Sequence, residues 1–155
     1  MKDAVRFRRI KEINTSRNDY IEYLIFEHNE NIMPTLKHNR EVDFYIDGVP
    51  YDQKVSRSVG KKFKEDYGEN YKEYAIKHPE IVAKYLYQGQ DEDRFGYQPR
   101  LLVVYLDDDV KPEKIADIII KTNFKNPIQL EFDYNHAKVG VKNYKTECFV
   151  VLLYN

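Results

Sequence analysis

The sequence predicts an α/β fold in which a mixed central sheet of about five strands is flanked by helices. Three features favour this class: short apolar or alternating runs of strand length, amphipathic helical patterns between them, and an Asp-Gly turn that joins two of the runs. The chain has 155 residues, of which 42% are hydrophobic, and this suffices for one folded domain spanning residues 1–155. A predominantly disordered chain is excluded.

The first part of the chain predicts a helix followed by a hairpin. Apolar residues at helical spacing follow a capping pattern and predict an amphipathic helix over 17–29. Two strand-like runs between Val42 and Val55 are joined by Asp47-Gly48, which is typical of a tight two-residue turn. A basic and polar segment over 56–64 comes next.

The rest of the chain alternates helices and strands. Helices are predicted near 69–77 and 80–88, and a loop over 89–99 separates them from a continuous apolar run at 101–106. That run predicts a strand covered on both faces. The remaining elements are a helix from Pro112, an alternating strand at 128–134 and a buried strand at 148–154.

Charge and composition exclude several classes of function. Lys and Arg total 25 against 26 Asp and Glu, so any site for a polyanion must be local. The lone cysteine, Cys148, lies in an apolar run and predicts a buried side chain without a disulfide. The four histidines form no zinc-binding spacing.

The chain has no apolar run of membrane-spanning length and no signal-peptide pattern, so we expect a cytoplasmic protein that does not contact a membrane.

The predicted hairpin places two acidic side chains opposite each other. With Asp47 and Gly48 as the turn residues, Asp43 pairs with Asp52 at a position where side chains are roughly 4.5–5.5 Å apart. Like charges at that distance destabilise a hairpin unless a cation lies between them. A hard divalent ion such as Mg²⁺ (or Mn²⁺) takes a few protein oxygens and completes its shell with water or phosphate.

Lys54 belongs to the same face as Asp52, because it lies two residues farther along the strand. Its ammonium can therefore contact a phosphate oxygen or an attacking water beside the ion. The alternative is a solvated charged face in which Asp43 pairs with a nearby base and Lys54 with Glu41. The residues alone leave both interpretations open.

At these residues the sequence resembles the restriction-endonuclease-like nuclease superfamily, whose motif is written PD-(D/E)XK. The resemblance implies a core of a helix, a strand meander, a helix and another strand, for which residues 32–37 leave room for the first strand. It implies metal binding by Asp43 and Asp52, with the Gln53 carbonyl as a further ligand, and a catalytic role for Lys54. Val42 stands where the motif has proline.

The same resemblance implies roles for residues outside the hairpin. Many members carry a glutamate on the first helix that reaches the metal, and Glu22 is the preferred candidate over Glu27. The segment Tyr-Gln-Gly-Gln-Asp-Glu-Asp-Arg-Phe resembles one with which some relatives position substrate, which implicates Gln88, Gln90 and Arg94. Its alternative is a polar loop.

A basic segment directly after the hairpin suits a phosphate backbone, since Arg57, Lys61, Lys62 and Lys64 lie close to Lys54 in sequence. We therefore expect a Mg²⁺-dependent DNA endonuclease, and a homodimer presenting two sites to duplex DNA is compatible with the small chain. The alternatives are a non-catalytic nucleic-acid-binding module and a protein-interaction domain.

Overall fold

The computed structural model describes residues 17–35 and 42–155, so Glu41 lies outside the described residues, as does the end of the predicted first strand. A helix over 17–28 (α1) precedes strands β1 (Ile32–Pro34), β2 (Phe44–Ile46) and β3 (Val49–Ser56). The remaining elements are α2 (Lys61–Tyr67), α3 (Tyr71–Lys77), α4 (Pro79–Gln88), β4 (Arg100–Tyr105), α5 (Pro112–Lys121), β5 (Ile128–His136) and β6 (Gly140–Leu153).

The described part of the chain forms one six-stranded mixed sheet flanked by helices, which confirms the predicted class and corrects the expected number of strands from about five to six. The strand order is β1-β2-β3-β4-β6-β5. The first three strands form an antiparallel meander, β3, β4 and β6 are parallel, and β5 returns antiparallel to β6.

The sheet separates two hydrophobic cores. One lies beneath α1 and α5 and contains Phe44, Tyr51 and Phe149. The other lies beneath the helices between β3 and β4 and contains Phe63 and Tyr87. All six residues of β4 are buried, as expected for a strand covered on both faces. No helix within the described ranges is long and apolar enough to cross a membrane.

The hairpin forms with the predicted turn. Asp47 and Gly48 both have positive φ, 50° and 80°, as a turn that matches the twist of a hairpin requires. Phe44 faces Tyr51 and Ile46 faces Val49, which confirms the predicted register. Phe44, Ile46 and Tyr51 point into the first core, so the polar residues that alternate with them on β3 lie on the opposite face.

Helix α2 was not predicted, because its segment carries too few apolar residues to give a helical period. The helix is held instead by contacts distant in sequence: Phe63 is buried, with its ring 5.1 Å from that of Tyr85 on α4. Tyr67 at the end of α2 stacks on Tyr74 at 4.0 Å. As a result, Lys61 and Lys62 lie in the first turn of a helix rather than in an irregular segment.

Candidate active site

The candidate site lies where β2 and β3 separate. The ladder between them ends at Phe44 and Tyr51, and Asp43 lies in a bend just outside it. The Asp43 amide donates to the Tyr51 carbonyl at 2.9 Å, and Oδ2 of Asp43 accepts the amide of Gln53 at 2.7 Å. The predicted direct pairing of Asp43 with Asp52 as one more rung is therefore wrong, because the chain bends before that rung forms.

The bend nevertheless brings the two carboxyls together. The pKa of Asp52 is raised to about 6, first by burial and then by a hydrogen bond with the Asp43 carboxyl and by its negative charge. The positive charges of Lys54 and Arg100 act in the opposite direction. Asp52 therefore has Asp43 as an acidic neighbour, although a bend rather than the predicted ladder rung places Asp43 beside β3.

Lys54 lies beside this pair. Its Nζ atom is 3.8 Å from Oδ2 of Asp52, which is within ion-pair range but too long for a hydrogen bond. The side chain of Lys54 is 55% exposed, against 14% for Asp52. The ammonium is thus held near the carboxylate and still has donors that face solvent.

Arg100 is a member of the site that the sequence did not reveal. The parallel register of β3 and β4 places it next to Asp52, and its Nε atom lies 3.8 Å from the same Oδ2 that Lys54 approaches. The one feature of the sequence that could have drawn attention to Arg100 is its position directly before the continuous apolar run at 101–106. Its proximity to Asp52 depends on strand order, which the residues did not define.

Glu22 lies on α1 within electrostatic reach of Asp43. Burial raises the pKa of Glu22, and the charges of Asp43 and Asp19 raise it further. Within residues 17–35 and 42–155, however, no three His, Cys, Asp or Glu side chains are gathered closely enough to hold one metal ion. The role of Glu22 at the metal stays a prediction. Glu27 is exposed.

The loop after α4 places its three candidate residues differently. The Gln90 amide is engaged inside the chain, where Oε1 accepts from Arg100 at 2.7 Å and Nε2 donates to the Gly96 carbonyl at 2.9 Å. A direct contact of this amide with nucleic acid would require one of these bonds to break. Gln88 donates to the Asp133 carbonyl at 3.2 Å. Arg94 is exposed and lines the same cleft as Lys54.

Basic residues line two adjoining clefts near the end of α4. Lys54, Arg94 and Arg100 line a cleft of about 220 Å³. Lys61 and Lys62 line a neighbouring cleft of about 260 Å³, and the two clefts share Leu86 and Gly89 in their walls.

Arg57 lies apart from these residues. It follows the last residue of β3 and lines other clefts, together with Asp107 and Asp108. Lys64 lines one of these clefts as well. The structure therefore places Arg94 in the cleft that Lys54 lines, places Lys61 and Lys62 in the adjoining cleft, and gives Arg57 acidic neighbours.

The fork is the point at which β2 and β3 separate, beside Asp43 and Asp52. Its oxygen atoms are of the type that a hard divalent cation binds. Two carboxylates neighbour each other there, because Asp43 is bonded to the backbone N–H of the residue that follows Asp52. The backbone carbonyl of Gln53 points to the same strand edge as this N–H. Carboxylate and carbonyl oxygens are the protein ligands that Mg²⁺ prefers, usually one or two carboxylates completed by water and phosphate. The donor set at the fork fits that requirement.

Comparison of the chain with protein-family models, with curated proteins and with solved structures finds no match.

Proposed function

We propose that this chain is a Mg²⁺-dependent endonuclease that hydrolyses phosphodiester bonds of DNA on a restriction-endonuclease-like core. The observation that carries the proposal is the convergence of three side chains at the fork of β2 and β3. The Asp43 carboxylate accepts the backbone N–H of Gln53, the residue next to Asp52, and the amine of Lys54 lies 3.8 Å from Asp52. Two acids and one amine in this arrangement suit metal-assisted hydrolysis of a phosphodiester.

The order of elements supports the same proposal. Helix α1 precedes the meander β1–β3, helices follow, and β4 then pairs in parallel with β3. This agrees with the helix, meander, helix and strand that the resemblance implies. The strand β1 occupies Ile32–Pro34, inside the interval in which the first strand was expected.

Asp43, Asp52 and the carbonyl of Gln53 would hold the divalent ion. The ion, Mg²⁺ or Mn²⁺, supplies the positive centre that makes a bound water more acidic and offsets charge on the phosphate. Burial is the main cause of the raised pKa of Asp52, and the neighbouring charge of Asp43 raises it further, so a positive ion at this position would favour the ionised form.

The remaining residues bind and orient the phosphate backbone. Lys54 can donate from its exposed ammonium to a phosphate oxygen or to the attacking water, because no hydrogen bond ties it to Asp52. Lys61 and Lys62 extend positive charge into the adjoining cleft, and Arg94 lines the same cleft as Lys54. Lys61, Lys62 and Arg94 would contact backbone phosphates and position the duplex without recognising its base sequence.

A cleavage assay with a matched pair of lysine variants tests the proposal. Plasmid, linear duplex, single-stranded DNA and RNA are incubated with the protein in Mg²⁺, Mn²⁺ or EDTA. We expect metal-dependent cleavage of DNA by the parent chain, and loss of about a hundredfold or more in Lys54→Ala and Asp52→Asn. The control is Lys111→Ala, because Asp109-Val110-Lys111 is another acidic-x-Lys sequence and Lys111 is exposed.

Each outcome of this assay has a definite meaning. Activity that survives in both Lys54→Ala and Asp52→Asn contradicts the site. Absence of cleavage by the parent chain, with salt-sensitive DNA binding that Asp52→Asn leaves unchanged, would instead favour a non-catalytic nucleic-acid-binding module. Absence of both DNA and metal binding would favour a protein-interaction domain.

A further inference from the structure

Arg100 is buried at an unusual place for an arginine. It is 4% exposed and is the one polar or charged residue that is fully buried within residues 17–35 and 42–155. An arginine in the interior is costly unless its charge and its donors are matched by the surroundings. The surroundings of Arg100 therefore indicate what its burial accomplishes.

The loop between α4 and β4 binds the guanidinium through a hydrogen bond to Gln90. Nη1 of Arg100 donates to Oε1 of Gln90 at 2.7 Å. The same Oε1 accepts the Gly96 amide at 3.0 Å, while Nε2 donates to the carbonyls of Gly96 and Tyr87 at 2.9 and 2.8 Å. Gln90 is held at both ends of its amide, so it fixes Arg100 in one position.

Two further residues shape the space around the guanidinium. The ring of Tyr87 lies 5.2 Å from its central carbon. At Gly96 a Cβ atom would lie 2.8 Å from Nη2 of Arg100, which is closer than such atoms approach. A side chain at residue 96 would therefore crowd the guanidinium of Arg100.

One donor of this fixed group faces the candidate site. The Nε atom of Arg100 is buried and has no hydrogen-bond partner in the described part of the chain. Oδ2 of Asp52 lies 3.8 Å away. At that distance the guanidinium attracts the carboxylate without taking up an oxygen lone pair that a cation needs.

We propose that Arg100 is a positioning residue: the Gln90-held guanidinium orients the Asp52 carboxylate toward the divalent cation, and Lys54 is left to contact phosphate. The inference rests on the proposed metal site. It adds two residues outside the Asp-x-Lys sequence, Arg100 directly and Gln90 through Arg100. An arginine with only a structural role would not affect how Asp52 meets a metal.

Terbium luminescence measures that orientation directly. Tb³⁺ replaces the divalent ion, and its emission lifetimes in H₂O and D₂O give the number of bound waters. The number of bound waters is measured at saturating Tb³⁺. A change in the affinity for Tb³⁺, caused by the altered charge, therefore does not affect the result. We expect Arg100→Met to gain about one bound water, because Asp52 no longer reaches the ion, and Gln90→Ala to gain a fraction of one.

The catalytic consequence is measured in parallel at saturating Mg²⁺. Residues that orient metal ligands typically contribute roughly ten- to a hundredfold to activity or metal affinity. We expect a fall of that size in kcat for Arg100→Met, with KM for DNA unchanged, and a smaller fall for Gln90→Ala. Arg17→Met, on α1, is the control and retains the parent's water count and kcat.

The outcomes separate this inference from the proposed function. If Arg100→Met and Gln90→Ala both keep the parent's water count and kcat, while Asp52→Asn loses activity, the positioning role is overturned and the nuclease site stands. If Arg100→Met does not fold, the water count and kcat of Gln90→Ala decide. A parent chain that neither binds Tb³⁺ nor cleaves DNA overturns the metal site, and the role of Arg100 with it.

Discussion

Oδ2 of Asp43 accepts the backbone N–H of Gln53 at 2.7 Å, although Asp43 lies outside the β2–β3 ladder. The Asp43 carboxylate thus accepts a hydrogen bond at the edge of β3 beyond the point where the backbone of β2 stops pairing with it. The bond fixes one oxygen of Asp43 beside β3 and explains how a residue in a bend stays close to Asp52, which precedes Gln53. The site is built by the divergence of two strands rather than by their pairing.

Stability should fall as pH rises in the absence of metal. Asp52 binds its proton more tightly in the folded chain, with a pKa of about 6, than at its usual value of 3.8. The stabilising effect is therefore fully present below pH 3.8 and is lost as pH rises through about 6. We expect Asp52 to contribute a loss of up to about 3 kcal/mol in the free energy of unfolding, measured by urea denaturation in EDTA.

The control for this pH dependence is Asp43→Asn, which removes the neighbouring charge and retains an oxygen that can accept from Gln53. Its loss of stability over the same pH range should be smaller than that of the parent chain. An equal slope in both proteins would contradict the contact between the two acids.

Divalent metal should stabilise the folded chain through the same pair. A ligand present at a hundred times its dissociation constant adds about 2.7 kcal/mol to the free energy of unfolding. We expect MnCl₂ to raise the melting temperature of the parent and of Lys54→Ala, but not that of Asp52→Ala, in thermal denaturation at pH 7.5. A shift of equal size in Asp52→Ala would place the binding site elsewhere.

The sequence predicted the parts of the site that depend on local geometry. Asp47-Gly48 defined the turn, the turn defined the register, and strand alternation placed Asp52 and Lys54 on the face opposite Tyr51. The bend at Asp43 was not predicted, because an ideal hairpin continues its pairing and nothing in Val42-Asp43 marks a departure. The roles of Asp43, Asp52 and Lys54 in catalysis remain predictions.

The parts of the site and of the fold that depend on contacts distant in sequence could not be predicted. Arg100 lies next to Asp52 only because β4 pairs with β3, and Gln90 reaches Arg100 only because α4 ends above that strand. Helix α2 likewise forms because Phe63 is covered by a distant tyrosine, Tyr85. Periodicity reports which face of an element is apolar, but not which element will cover it.

Gly96→Ala should disturb the site without touching the acids. The new Cβ would overlap Oε1 of Gln98 and would lie 2.8 Å from Nη2 of Arg100. Gln98 is exposed and can move, whereas Arg100 is held by Gln90, so the loop must shift. We expect a loss of about 1–3 kcal/mol in the free energy of unfolding, as for other overpacked sites, measured by urea denaturation.

The control for Gly96→Ala is Gln98→Ala, which removes the flexible neighbour and leaves Arg100 in place. Gln98→Ala should be close to neutral, and the double variant should remain destabilised. Recovery of full stability in the double variant would show that Gln98, not Arg100, imposes the requirement for glycine.

Tyr134→Phe should loosen the loop that carries Gln90. The hydroxyl of Tyr134 on β5 donates to the Gln90 carbonyl at 2.6 Å, and His136 on the same strand contacts Glu92 at 2.9 Å. These contacts tie the loop to the β5–β6 hairpin, so we expect the loss of the hydroxyl to cost about 1 kcal/mol. Hydrogen exchange of the Gly96 amide, which donates to Gln90, should become faster in Tyr134→Phe, while exchange of the Val103 amide within the buried strand β4 stays close to that of the parent. Equal acceleration at both amides would mean that the variant destabilises the whole fold and that the loop is not an independently opening unit.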